Sequence, residues 1–306
     1  MRKYIFSVSF IFLITCGLFA QDVKFGFRGG LNIANMSVAK STPVSEGYKS
    51  RLAPGWGLFT ELQITCAAQS ASNPKVSLRF GVEYSGMGGK KDGMQALPTQ
   101  RLISEMASSM GGGILGMSPE LQAGLGQLMA WSKFFPHYYA NVENTTKFDY
   151  VMIPVVAQFG WNLGQSPWRV YVNAGPFVSF LLSGKLETKG KSYLYSDASG
   201  TTTLWNVFPE EAKNILASQL PDIFPAIEQT LDSEKNFDTT KITGEMKSAN
   251  FGVTGNVGIR YQCKHNYFFL EVGGNYGFFT VQQNDANGSN RIGAASVMAG
   301  YAFSLF

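Results

Sequence analysis

The chain has 306 residues, a formal net charge of +4, and a composition rich in Gly (34), Phe (24) and Tyr (13). Its length allows one large domain or two ordinary ones, and its aromatic residues and glycines favour strands and turns over helices. The small net charge comes without a cluster of Lys and Arg, which excludes nucleic acid as a partner.

The N-terminus has the features of a secretory leader. Arg2 and Lys3 form a positive head, and residues 4–19 form an apolar stretch that is too short to span a membrane comfortably. Ala20 supplies a small residue at the end of this stretch. We therefore predict that residues 1–20 are a signal peptide and that the protein is exported.

Cys16, in the sequence LITC, leaves a lipoprotein alternative open, although Thr15 is not the small neighbour that lipidation prefers. After cleavage two cysteines remain, Cys66 and Cys263, which are too few for a disulfide framework. We predict that residues 21–306 form a single domain.

Eight segments of the mature chain alternate between apolar and polar residues with a period of two, which is typical of β-strands. They begin near residues 23, 56, 76, 150, 168, 250, 268 and 296. In the sixth segment Phe251 and Val253 share one face, whereas Asn250 and Thr254 share the other. An antiparallel sheet with two chemically different faces explains this pattern.

All the charged residues inside these segments fall on the polar face. They are Lys24, Arg28, Glu61, Arg79, Glu83, Arg169, Arg260 and Glu271. A charge on a lipid-facing position costs about 2–4 kcal/mol at the bilayer midplane, so a membrane barrel would keep them inside. Because buried charges must be paired, we predict that these residues, the lumen charge network, fill the interior as salt bridges. A conducting pore remains an alternative.

The connections between the segments alternate in length. Those after the second, fourth and sixth segments are short, whereas those after the first, third and fifth contain roughly 20, 60 and 65 residues. Outer-membrane barrels have short periplasmic turns, longer external loops and an even number of strands. A soluble sandwich would show the same alternation of faces but does not require alternating loop lengths. We therefore predict an all-β, eight-stranded, antiparallel up-and-down transmembrane β-barrel, surrounded by lipid in the cell outer membrane.

Aromatic residues and prolines add two further expectations. Tryptophans and tyrosines near the segment ends suit the two membrane interfaces; they are Trp56, Tyr84, Trp161, Trp168, Tyr261, Tyr276 and Tyr301. Pro154 and Pro176 lie inside segments although proline has no N–H to donate to a sheet. We expect a local bulge or a donor-free position at each.

Several stretches resemble the PorT-like outer-membrane β-barrel family. They are KFGFRGGLNIANMS, FGVEYSGMGGK, FDYVMIPVVAQFGW, YVNAGPFVSFLLSGK and EVGGNYG, together with the aromatic C-terminus GYAFSLF. The resemblance implies an eight-stranded barrel inserted by the outer-membrane assembly machinery, for which Tyr301, Phe303 and Phe306 would be the C-terminal signal. Some members of that family assist protein secretion, and the family pattern supplies no catalytic residue.

Two long external loops, about residues 89–147 and 185–249, contain sequences with helical features. Ser118 is a plausible N-cap that precedes Pro119 at the first helical position. In the second loop apolar residues form a stripe, made of Ala212, Ile215, Leu216 and Leu220. The helices would either pack together as a cap over the barrel mouth or form a groove for a lipid, peptide or protein partner.

The sequence predicts no catalytic, cofactor-binding or metal-binding set. His137 in an external loop could pair with Ser132 or Ser109, but no spacing signature supports a triad. We therefore expect a non-enzymatic surface binding or secretion and envelope-accessory protein that acts through its external loops. A small porin-like channel and a lipid-modifying barrel enzyme are the alternatives.

Overall fold

A computed structural model describes residues 20–64, 74–109, 126, 129–130, 132–133, 135–219, 221 and 224–304. The predicted signal peptide lies outside these residues except for Ala20, which opens the first strand. The predicted N-cap Ser118, the adjoining Pro119 and the C-terminal Phe306 also lie outside the described residues.

Eleven strands and four α-helices are present in the described residues. In chain order they are β1 (Ala20–Lys40), β2 (Arg51–Ile64), β3 (Lys75–Pro98), α1 (Thr99–Ser109), β4 (His137–Asn162), β5 (Trp168–Lys189), β6 (Lys191–Ser192), α2 (Leu204–Val207), α3 (Glu210–Gln219), α4 (Phe224–Asp232), β7 (Lys235–Asn236), β8 (Thr240–Lys241), β9 (Ala249–Cys263), β10 (Asn266–Gly277) and β11 (Ser289–Ser304).

Eight of these strands close into a barrel. Each pairs antiparallel with its neighbour in the order β1, β2, β3, β4, β5, β9, β10, β11, and β11 pairs with β1 to complete the ring. Lys24 lies opposite Ser304, so the two ends of the described chain lie at the same end of the barrel. The predicted eight-stranded up-and-down architecture is confirmed.

The two faces of the barrel differ as the alternation predicted. On β9, Phe251 and Val253 point outward with 41% and 46% of their surface exposed, while Asn250 and Thr254 are buried. Closure of the sheet leaves no free edge, which is the condition for β-structure in lipid. The apolar outer face therefore meets hydrocarbon and the polar inner face is sealed inside.

Aromatic side chains pack in pairs towards both ends of the apolar outer surface. Trp56 stacks on Tyr84, with 5.7 Å between ring centres. Near the short turns, Trp168 packs edge-on against Tyr261 at 5.0 Å. These amphipathic rings lie where the two membrane interfaces are expected.

The prolines interrupt pairing without changing the register. Pairing between β3 and β4 lapses where Pro154 and its neighbour face Gly81 and Val82, and resumes in the same register. Pairing between β4 and β5 lapses beside Pro176, again without a shift. The register shift of that strand pair follows Asp149 instead. Of the two expectations for each proline, a bulge or a donor-free position, the structure has the donor-free position, because the interrupted pairing accommodates the missing N–H donor.

The strands continue well beyond the apolar band at the end opposite the chain termini. β3 and β4 stay paired up to Pro98 opposite His137, so residues 89–98 and 137–147 of the predicted first loop are strand. We call this extended hairpin, together with α1 and residues 190–236, the cap. Its buried apolar core is formed by Leu102, Ile103, Met106, Tyr138, Ala140, Val142, Leu194, Leu204, Trp205, Phe208, Leu216, Ile227 and Leu231.

Candidate functional site: the barrel interior and the extracellular cap

The eight charged residues of the lumen charge network all lie on the inward face of the barrel. Each is at least nine-tenths buried; they are Lys24, Arg28, Glu61, Arg79, Glu83, Arg169, Arg260 and Glu271. Closure of the sheet brings six of them together in two clusters, which are centred on two of the six, Glu271 and Glu61.

Glu271 is the centre of the first cluster. Its two oxygens pair with Arg28 at 2.7 Å and with Arg79 at 2.5 Å, and the Tyr171 hydroxyl donates to it at 2.8 Å. Arg28 also pairs with Glu83 at 2.6 Å. Two guanidinium groups and two carboxylates therefore neutralise one another in the middle of the barrel, as charges removed from water require.

Glu61 is the centre of the second cluster. Arg260 pairs with it at 3.1 Å, and the Tyr267 hydroxyl donates to its other oxygen. The Gln158 amide donates to Glu61 at 3.4 Å and accepts from Arg79 at 2.9 Å. Gln158 thereby joins the two clusters into one hydrogen-bonded network across the lumen.

Aromatic rings pack against the guanidinium groups of the network. The Arg79 guanidinium lies 4.6 Å from the centre of the Phe59 ring and 5.4 Å from that of Phe269, and Arg260 lies 4.7 Å from the Tyr267 ring centre. Such cation–π contacts strengthen when they are shielded from water. These aromatic residues occupy the same face of each strand as the charged residues, and that position is the sequence signal that could identify them. The charged residues give the more obvious signal.

Lys24 and Arg169 lie towards the end of the lumen near the short turns. Arg169 donates to the Asn162 side chain at 2.7 Å, and the Lys24 ammonium lies 5.6 Å from the Tyr267 ring centre. In the strand register Arg169 lies directly opposite Arg260, and Lys24 lies directly opposite Glu61. Both residues therefore adjoin the Glu61 cluster.

The interior is packed rather than open. The cavities between the described side chains include three with a volume of about 10 Å³ each, which is the size of one water molecule. One lies beside Arg28, Arg79 and Glu83, and another beside Tyr150, Asn250 and Asn275.

An apolar cluster closes the outer mouth of the barrel. The connection between β8 and β9 places Ile242 and Met246 over the mouth, where they pack with Val281, Phe148 and Tyr150. The Thr243 hydroxyl accepts from the Gly184 N–H at 2.8 Å and so fixes this connection to β5. We call Ile242, Met246 and Val281 the outer plug. It separates the polar lumen from the cap above it.

A sequence model of the family described as outer membrane protein beta-barrel domain matches residues 19–283, which is most of the chain. The chain belongs to this family. It is an outer-membrane β-barrel protein, and its lumen charge network, outer plug and cap are features of a barrel in that membrane. In the described residues, no helix combines the length and the apolar character needed to cross a bilayer.

Several solved outer-membrane barrels are similar to this protein, at low sequence identity. The attachment invasion locus protein Ail of Yersinia pestis is 9% identical, with a TM-score of 0.30 over 92% of this chain and 100% of that one. Neisserial surface protein A is 11% identical, with a TM-score of 0.32 over 92% and 97%. OprG of Pseudomonas aeruginosa is 8% identical, with a TM-score of 0.33 over 94% and 97%. A search of curated proteins by sequence found no match.

The described side chains of His137 and Ser132, one pairing that the lipid-modifying alternative would use, each contact other groups. The His137 ring is half-buried, which lowers its pKa, and packs edge-on against Tyr139 at 5.4 Å between ring centres. The Ser132 hydroxyl donates to the Met129 carbonyl at 2.7 Å. The side chain of Ser109 lies outside the described residues.

The aromatic residues near the C-terminus of the barrel lie on its outer face. The Tyr301 ring lies 4.8 Å from that of Phe268 and 6.3 Å from that of Phe303, measured between centres. Tyr301 and Phe303 belong to β11, the strand that closes the barrel on β1. An assembly signal in this strand would therefore be presented towards lipid.

Proposed function

We propose that this outer-membrane barrel is a non-conducting anchor, and that its extracellular cap binds a protein or lipid partner at the cell surface or assists protein secretion. The observation that carries the proposal is the division of the molecule into a filled barrel and a cap with its own apolar core. A barrel whose interior is full leaves the external surface as the place for function. The resemblance of the strands to PorT-like barrels supports the secretion-accessory form of the proposal.

Ion pairs that fix α1 to neighbouring segments support a binding role. Arg101 of α1 pairs with Glu245 at 2.9 Å, and Glu105 of the same helix pairs with Lys235 at 2.5 Å. The first pair ties α1 to the connection that carries Ile242 and Met246 of the outer plug, and the second ties it to β7 of the cap. A surface that is already ordered before binding loses less entropy when a partner docks, so an ordered cap suits recognition.

A pull-down from detergent-solubilised outer membranes tests the proposal. Because Pro98 lies opposite His137, residues 99–136 can be replaced by Asn-Gly, a sequence that favours a two-residue hairpin turn. We expect the full chain to retain a partner that this variant loses, while both migrate as heat-modifiable barrels. A substitution of Lys264 in the opposite turn is the control and should retain the partner. The absence of any partner on the full chain, or its equal retention by the loop variant, contradicts the proposal.

The channel alternative requires a path through the lumen, and the packed network between Glu61 and Glu271 argues against one. Swelling of vesicles that contain the protein, in an isotonic sugar solution, distinguishes the two. We expect no swelling above that of protein-free vesicles. Swelling comparable to that of a general porin would favour the channel.

The lipid-modifying alternative depends on His137. We expect His137→Ala to leave the composition of surface lipids unchanged, because this ring contacts Tyr139 rather than a described serine. A changed lipid profile in cells that carry this variant would favour the enzyme.

A further inference from the structure

Three lysines lie side by side on the outer surface, just above the apolar band. Lys147 of β4 is directly opposite Lys185 of β5, and Lys185 is directly opposite Lys241 of β8. We call them the lysine row. Directly opposed residues in an antiparallel sheet have Cβ atoms roughly 5 Å apart. The row therefore concentrates three positive charges on three adjacent strands.

This arrangement is unfavourable for the isolated protein. Like charges that are directly opposite on a sheet destabilise it. Lys147 is partly compensated by an ion pair with Glu187 at 2.5 Å. Lys185 and Lys241 are exposed and form no ion pair with any residue that the structure describes. An external anion would relieve the repulsion between them.

The position of the row indicates which anion. Leu182, with 58% of its surface exposed, is the last large apolar residue on the outward face of β5, and Lys185 follows three residues later. Three residues of strand span roughly 10 Å, and the tilt of barrel strands makes the vertical distance shorter. The lysine row therefore lies at the level of the lipid headgroups next to the hydrocarbon.

Helices α3 and α4 of the cap carry mostly negative charge. Glu210 and Glu211 of α3 and Glu228 and Asp232 of α4 are exposed, and Lys213 is the one cationic residue on the described parts of these helices. The three lysines are therefore not part of a generally basic surface. Charge complementarity with a negatively charged membrane surface explains this distribution, whereas a generally basic surface would not show it.

We propose that the lysine row binds the phosphate groups of a lipid in the outer leaflet. The ammonium groups of Lys185 and Lys241 would contact the phosphate oxygens while the acyl chains lie along Leu182 and the apolar wall below. This inference is independent of the partner of the cap, because the two contacting residues, Lys185 and Lys241, lie outside the cap.

Retention of a phosphorylated lipid tests this inference. The full chain, refolded in vesicles of phosphatidylcholine with a minor fraction of diphosphoryl lipid A, is extracted in non-ionic detergent and its bound lipid is measured by native mass spectrometry. We expect the double variant Lys185→Gln and Lys241→Gln to retain several-fold less lipid A than the natural chain. The double variant Lys189→Gln and Lys191→Gln, which lie farther from the membrane, is the matched control and should retain as much as the natural chain. Equal retention by the row variant and the natural chain overturns the proposal.

Two further arms identify the source of the anion. Lipid A from which the phosphates have been removed should be retained several-fold less by the natural chain, and equal retention overturns the phosphate assignment. Inorganic phosphate at the same concentration as the lipid should displace little of it. Full displacement would show that the site takes a free anion and would overturn the lipid assignment.

Thermal unfolding separates binding from a structural role. In non-ionic detergent Lys185→Gln should raise the unfolding temperature, because it removes repulsion from both neighbours. In vesicles that contain lipid A the order should reverse, with the natural chain the more stable. The same order in both media contradicts the proposal.

Discussion

Glu271 is the residue on which the charge balance of the lumen depends most. It is almost completely buried and pairs with two guanidinium groups from β1 and β3. Compared with apolar side chains that fill the same space, this network adds little net stability, because the cost of desolvating the charges offsets the attraction between them. Removing one member is different, since it leaves its partners charged and buried.

We therefore predict that Glu271→Gln strongly destabilises the barrel. Gln keeps the shape but leaves Arg79 without its carboxylate partner, while Arg28 keeps only Glu83, and breaking a buried pair in this way costs about 3–5 kcal/mol. The free energy of unfolding by urea in lipid vesicles measures the effect. Asp285→Asn is the control, because its pair with Lys40 is exposed at 3.2 Å and should contribute at most about 1 kcal/mol. Equal effects of the two substitutions would contradict this account of the lumen.

The buried environment of Lys91 predicts that the stability of the protein depends on pH. It lies on the extension of β3 outside the membrane, donates to the Val44 carbonyl at 2.6 Å and lies 4.2 Å from the centre of the Tyr48 ring. Burial lowers its pKa to about 8, whereas the unfolded value is near 10.4. Between these values the unfolded chain binds more protons than the folded one, so stability rises with pH.

Comparison with Lys91→Met isolates this contribution. The unfolding free energy of the natural chain should rise relative to that of the variant between about pH 8 and about pH 10, and the difference should stay constant below about pH 8. Urea midpoints of both proteins across this range provide the measurement. A constant difference throughout would show that the Lys91 environment does not depress its pKa.

At the scale of elements, the cap has a core that is separate from the barrel wall. Leu102 of α1 is fully buried against side chains from β4 and the second long connection. We predict that Leu102→Ala costs the cap about 2–5 kcal/mol, the usual range for such a truncation in a core, and leaves the barrel intact. Limited proteolysis of whole cells should then cleave the cap faster, while heat-modifiable migration is unchanged.

Ile215→Ala provides the matched control, because this side chain lies on the same cap with 40% of its surface exposed. Its truncation should barely change the rate of cleavage. If Leu102→Ala and Ile215→Ala behave alike, or if Leu102→Ala abolishes barrel migration, the cap is not a separately packed element.

The strands in the membrane could be predicted from sequence because each has two contrasting environments. Phe251 must face lipid and Asn250 must face the lumen, so the alternation is visible residue by residue. Beyond the hydrocarbon this contrast weakens. Residues 137–147 have buried Tyr138 and Val142 on one face, but the other face meets water, so the sequence alone predicts a loop there.

The partners within the lumen could not be predicted from sequence. Arg28 and Glu271 are separated by 243 positions, and which arginine meets which glutamate depends on how the closed sheet staggers its strands. The outer plug was missed for a similar reason. Ile242 and Met246 occur singly in a polar connection, and their burial depends on the position of the barrel mouth.

At the scale of the whole molecule, function divides along the barrel axis. The short turns and chain ends lie at one end, the filled lumen crosses the membrane, and the outer plug and cap lie at the other end. The aromatic pairs Trp56–Tyr84 and Trp168–Tyr261 lie towards the two ends of the membrane-facing surface. In the function that we propose, the barrel is an anchor that presents the cap outside the cell.

Ionic current across a planar bilayer tests the central claim, a sealed lumen, most directly. The natural chain should give no reproducible conductance steps above those of the protein-free bilayer. The double variant Arg79→Ser and Glu271→Ser, which removes the middle of the network as a charge-balanced pair, should conduct more if it folds into a heat-modifiable barrel. Stable open-channel steps from the natural chain, unchanged in this variant, would contradict the account.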